Sequence, residues 1–451
     1  MAVPLIRQLA SRIVELQAEP LSDALIAKAK QCIIDFLAAA FAGTDSGSFR
    51  AVAGATAAWG GGNCTLIGLP STGTAVRAAL HNGIVGHAEK LDDSHSGVSG
   101  LHLAATVIPA ALALAEERGV SGRELIQALA CGYEAAGRLC RCIDKAHRSR
   151  GFHSTGTAGA FGAAVACAVL LGLDGMGIVH SMGIAASSAA GLFAFLEDGA
   201  TVKHFHAGRA ALDGLTAALL ASEGMTAPAC VLEAREGFFH AYAGEYDSRW
   251  LFCRLEYPEI FSAYHKLYSA CGHTFPAIDA ALLLRAELQR SGFSTDAITH
   301  LRYDGYRNSA VLNNPEPKTI QECRFSIPCA VALALDGGNV SRRDMATFAS
   351  VPRLLSLCRR IEVREDPALT EAFPALRAGI LSADLADGRH LSFRIDTPKG
   401  MPENPASFED IRRKFLTETA SVLPPGKAAA LLEGVDRLEQ GPMSRLSEAL
   451  R

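Results

Sequence analysis

The sequence has no continuous apolar stretch of the roughly 20 residues needed to cross a bilayer. Its most apolar run, Ala163–Leu171, is short and flanked by glycines. The opening residues, M-A-V-P-L-I-R-Q-L-A-S-R-I-V-E-L, are broken by charge every few positions and lack the apolar centre of a secretion signal. Neither charge sign dominates. Lys and Arg number 43 against 47 Asp and Glu, a formal charge of −4 that leaves no basic footprint for nucleic acid. The 12 cysteines are scattered singly apart from Cys140-Arg141-Cys142, which argues against a zinc ribbon or a dense disulfide framework. A cytoplasmic protein with reduced thiols and no membrane partner is expected. A glycine-rich dinucleotide loop, a P-loop, a G-x-S-x-G elbow and an H-E-x-x-H helix are also missing. Several common enzyme classes fall away with them.

What is present is apolar residue in quantity, 49% of 451 residues, enough to fill two or three domain cores. The first 270 residues or so read as successive helices. Leu5, Ile6, Leu9, Ile13 and Leu16 share one helical face, Ser22 is placed to cap a second helix that Gly43 ends, and Ser121-Gly122-Arg123-Glu124 is a capping box. Near residue 295 the period changes. Ile298–Tyr306, Ile361–Arg364 and Leu391–Ile395 alternate as half-buried strands do, with a helical run from Ser326 to Leu335 between them. Amphipathic helices return from Ser407. The expected class is mainly α: a large all-helical domain (1–268, completed by 403–451) with a smaller inserted α/β domain (269–402).

One stretch does not read as packing. E-K-L-D-D-S-H-S-G-V-S-G-L-H-L-A-A, from Glu89, sets two adjacent carboxylates, Asp92 and Asp93, and two histidines in a polar, glycine-containing segment between apolar sequences. Three further places concentrate chemistry: Gly151-Phe152-His153-Ser154, then Lys203-His204-Phe205-His206 with Arg209, then Lys266 through Cys271 to His273. Ammonium and imidazole groups of this kind suit a small anionic substrate. Cations hold its carboxylates, and an imidazole exchanges a proton at the adjacent carbon. Coordination of a cation by Asp92, Asp93 and His95 is the weaker reading, because adjacent carboxylates are poor ligand spacing; no metal is expected.

These motifs, in order, resemble the MmgE/PrpD family. They are L-D-D-x-H…L-H…V-I-P-A-A-L-A-L-A-E from Leu91, G-F-H-S-T-G-T-A-G-A-F-G from Gly151 and V-K-H-F-H-A-G-R-A-A from Val202. K-L-Y-S-A-C-G-H-T-F-P-A-I-D-A from Lys266 and N-P-E-P-K-T-I-Q-E-C-R-F-S-I-P from Asn314 complete the series. The resemblance implies a helical domain with an α/β lid, a homodimer, no organic cofactor, and a reaction on a small di- or tricarboxylate. Its candidate catalytic residues are His102, His153, Asp92, Asp93 and Lys266. Its candidate substrate-binding residues are Ser94, Lys203, Cys271, His273 and Arg209. Dehydration of a 2-methylcitrate-like hydroxy acid is the first expectation. Epimerisation of an iminodisuccinate-like acid, decarboxylation of a cis-aconitate-like acid, and non-catalytic carboxylate binding are the alternatives. Two positions depart from the family pattern: Lys90, where an acid is common, and Leu103, where proline is common.

Overall fold

A computed structural model describes residues 3–451, and the chain divides into two compact units. One holds the chain up to His265 together with Ser407–Arg451; the other is Lys266–Ala406.

The first unit is built of helices. They include α1 (Leu5–Ala18), α2 (Asp23–Gly43), α3 (Gly47–Ala55), α4 (Ala75–His87) and α5 (Ala104–Arg118). Then follow α6 (Gly122–Ser149), α7 (Ser154–Leu170), α8 (Gly175–Ser188) and α9 (Val202–Ser222). Their ends follow local chemistry. Ser22 Oγ accepts from Leu25 N at 3.2 Å to start α2, and Ser121 and Glu124 close a reciprocal capping box at the start of α6. Helix α7 is the hub, packed against α5, α6, α8 and α9. Nearly every residue of S-T-G-T-A-G-A-F-G-A-A-V-A-C-A-V-L is buried, because small side chains let four neighbours approach closely. Helices α4 and α9 also cross closely. A Cβ on Gly208 would lie 2.4 Å from the Leu80 carbonyl oxygen, so only hydrogen fits there. Among the described residues, strand structure in this unit is confined to two-residue ladders, Cys64–Thr65 with Thr72–Gly73 and Ser94–His95 with Ala263–Tyr264.

The second unit carries a four-stranded sheet. Strand β1 (Ile298–Gly305) pairs in parallel with β2 (Ile361–Glu365) and antiparallel with β3 (Gly379–Leu385), which pairs with β4 (His390–Ile395). Three of these match the alternation in the sequence. Strand β3 was not expected: in G-I-L-S-A-D-L consecutive residues are buried on both faces, so the period-two signal is lost. The Phe275–Arg290 helix packs on β3 and β4, and the helix expected from Ser326 runs Ile327–Asp336, capped by Ser326.

The cysteines are all free thiols, and nine of them are buried. Among the described residues no helix is long and apolar enough to cross a membrane.

Candidate active site

The polar segment between α4 and α5 has almost no regular structure, yet buried partners hold it along its length. Lys90, next to its start, has φ 59°, the only positive φ outside glycine among the described residues. One residue on, the Leu91 carbonyl accepts from Lys414 Nζ at 2.6 Å. Lys414 comes from the Phe408–Thr419 helix, and its ammonium also meets Asp35 Oδ1 on α2 at 2.5 Å. Burial alone would raise the Asp35 pKa, but Lys414 and His265 outweigh it and hold the carboxyl below its usual value.

Asp93 and His95 secure the middle. Asp93 Oδ1 accepts from Ala104 N at 2.9 Å and Oδ2 from Tyr133 Oη at 2.9 Å, which ties the segment to the start of α5 and to α6. Complete burial, aided by the charges of Asp35 and Asp92, overrides these bonds and pushes the Asp93 carboxyl up to about 7. His95 Nε2 lies 2.9 Å from Glu259 Oε2, and Arg141 clamps the same carboxylate at 2.6 and 3.1 Å. Burial opposes ionisation of Glu259, but His95 and Arg141 pull its pKa down to about 2. Thr155, in the first turn of α7, fixes the far end: its Oγ1 donates to Gly100 O at 2.8 Å and accepts from His102 N at 3.1 Å.

This scaffold gathers imidazoles. His102 Nδ1 is 2.6 Å from the Asp93 carbonyl oxygen, which can only accept, so that nitrogen carries a proton. Asp92 Oδ2 lies 3.4 Å from the same nitrogen and 2.7 Å from His87 Nδ1. The His87 ring is 4.8 Å from that of His102, 6.2 Å from His153 and 6.3 Å from His204. His153 precedes α7 and turns its Nδ1 to His206 Nδ1, 3.1 Å away. Burial first, then Lys203 and His87, drive the His153 pKa well below the ordinary imidazole value; burial and Lys203 lower that of His206. Five of the chain's 14 histidines, with Lys203 beside them, thus meet in one place. The site offers carboxylate-binding positive charge together with an imidazole kept neutral for proton exchange.

His87, Asp92 and His102 present ligand atoms within 4.8 Å of one another, a donor set that suits a borderline divalent cation. The hydrogen bonds argue for another use. The Nδ1 protons of His87 and His102 already point at oxygen. His95, weighed as a ligand from the sequence, spends Nε2 on Glu259 and accepts from Gly97 N at Nδ1.

Of the residues singled out in the sequence, Asp92, Asp93, His102, His153 and Lys203 come together here. Ser94 is buried alongside, its hydroxyl 3.4 Å from the Leu101 carbonyl. Arg209 lies on the exposed side of α9, its Nε donating to Asp213 at 2.6 Å. Lys266, Cys271 and His273 belong to the second unit, where Lys266 is buried and His273 Nδ1 lies 2.7 Å from Tyr306 Oη. Sequence reasoning passed over His87, and it noted His204 and His206 beside Lys203 without giving either a role. The signal for His206 was available, since it follows Lys203 by three residues and a helix puts both on one face. His87 gave less, because it ends an apolar helix where a core histidine is the ordinary reading.

The chain matches the MmgE/PrpD N-terminal domain over residues 7–251 and the MmgE/PrpD C-terminal domain over residues 268–440. It is similar to the cis-aconitate decarboxylase of Homo sapiens, 29% identical over 451 residues, covering 95% of this chain and 91% of the relative. It is similar also to that of Mus musculus, 28% identical with 94% and 88% covered, and that of Aspergillus terreus, 27% identical with 92% and 89% covered.

Proposed function

We propose that this chain, which belongs to the MmgE/PrpD family, is a decarboxylase of a small unsaturated polycarboxylate of the cis-aconitate type. The observation that carries the reading is the pairing of an ammonium, Lys203, with two imidazoles in contrasting surroundings. His102 has two oxygen acceptors, a backbone carbonyl and a carboxylate, at its Nδ1, so its ring is placed to donate there. His153 has burial and Lys203 against it, so its ring stays neutral. Loss of carbon dioxide leaves an electron pair conjugated with a remaining carboxylate. Lys203 and His102 stabilise that charge in a water-poor site, and His153 supplies the proton that ends the step on carbon. Dehydration of a 2-methylcitrate-like acid, the first expectation from sequence, has less support. The relatives that match this chain over most of its length are named decarboxylases.

The test is incubation of the purified chain with cis-aconitate, 2-methylcitrate and related acids in deuterated water, followed by proton NMR and carbon dioxide detection. Carbon dioxide release from cis-aconitate, with one deuteron fixed in the product, is the expected result. An alkene formed from a hydroxy acid without carbon dioxide would overturn the reading in favour of dehydration. Label exchange without net change would point to an epimerase.

A further inference from the structure

Two ring nitrogens 3.1 Å apart, His153 Nδ1 and His206 Nδ1, cannot both present lone pairs; one must carry the proton the other accepts. Nor is a second proton favoured. Burial and Lys203 on α9 act against charge on both rings, and His87 on α4 and His147 on α6 add to this at His153. The neutral pair therefore shares one proton and has two states. With it on His153, the outer nitrogen of His153 is a base. With it on His206, the outer nitrogen of His153 is a proton donor. The surroundings hold the rings in this register. A Cβ on Gly191 would lie 3.3 Å from both Cγ and Nδ1 of His206, and Phe193 and Phe195 pack at 4.8 and 5.4 Å on the His153 ring. His206 is the less enclosed, 8% exposed against 1%.

We propose that His206 is a positioning residue that relays a solvent proton to His153, an inference that rests on the decarboxylation described above. As the bond to carbon dioxide breaks and its electron pair moves into the conjugated system, His153 gives its Nε2 proton to carbon. Its Nδ1 takes the proton of His206 Nδ1, and His206 Nε2 takes one from water. One solvent proton is consumed, as loss of carbon dioxide from a carboxylate requires, and neither ring becomes charged beside Lys203. Reversal of the shift after product leaves restores both tautomers with no net proton.

His206→Phe and His206→Gln test this in the full-length protein, each checked for folding by circular dichroism. With cis-aconitate, both are expected to lose about 100-fold in kcat with KM changed less than about threefold. The wild type is expected to give a curved proton inventory in mixed light and heavy water, and the variants a straight one. A kcat within about threefold of wild type in either folded variant, or a straight wild-type inventory, would overturn the relay. Nitrogen-15 spectra of histidine-labelled protein read the same pair without turnover. His153 is expected to favour the Nε2–H tautomer in the wild type and to lose that preference in His206→Phe. An unchanged tautomer would count against the proposal. A wild type that releases no carbon dioxide from cis-aconitate would remove the decarboxylation reading, while the nitrogen spectra would still decide the role of His206.

Discussion

Asp93 is pulled in two directions. Bonds from Ala104 N and Tyr133 favour its ionised form, complete burial disfavours it, and burial prevails, moving the carboxyl from 3.8 to about 7. The folded chain then keeps this proton to about pH 7, whereas the unfolded chain releases it near pH 4. The contribution to stability is greatest below the unfolded value and is lost as pH rises through the folded one. We expect Asp93→Asn to flatten that decline. Between about pH 4 and 8 the wild type should lose roughly 2–4 kcal/mol relative to the variant, read as the difference in urea midpoints; parallel pH curves would contradict it. His102→Ala is expected to cut turnover of cis-aconitate by about 100-fold or more with the fold intact, measured by carbon dioxide release and thermal melting. At this scale the sequence announced Asp92, Asp93, His102, His153 and Lys203 as reactive types, because such residues are conspicuous in apolar surroundings. It did not separate their uses. That the Asp93 side chain serves a helix start while its carbonyl serves His102 depends on a backbone path that spacing does not encode.

Helix packing sets where those residues meet. Gly208 on α9 abuts α4, and one turn before it lies His204, whose ring is 6.3 Å from His87 at the end of α4. Gly208→Ala is expected to cost about 1–3 kcal/mol, since its Cβ must displace backbone rather than a flexible side chain. Gly54→Ala in α3, with nothing within 4 Å, should leave stability unchanged or raise it by up to about 1 kcal/mol. Chemical denaturation of both variants checks the contrast. The Phe408–Thr419 helix contributes in another way. Lys414→Met would strand the buried Asp35 carboxylate and free the Leu91 carbonyl, with an expected loss of about 3–5 kcal/mol. Turnover should fall in step if the segment bearing Asp92 shifts; a stable, fully active Lys414→Met would refute the tie. The helices themselves, with the caps at Ser22 and Ser121, were legible because capping and periodicity are local. Strand β3 was not, because burial on both faces erases alternation.

For the whole molecule, the family resemblance predicts a homodimer. Light scattering should return about twice the 47.5 kDa of one chain, and a single-chain mass across micromolar concentrations would exclude it.

Sequence alone determined the mainly helical first unit, most strands of the second and the family, because each rests on short-range periodicity or on motifs in linear order. Tertiary structure alone decided that His153 faces His206 and that Asp92 lies against both His87 and His102. It also decided that Lys414, 323 residues beyond Leu91, holds the carbonyl beside Asp92. The physical reason is that hydrophobic patterning specifies which face of an element is buried. The partner it meets there, and hence the charge and tautomer of a buried imidazole, follows from how whole helices cross.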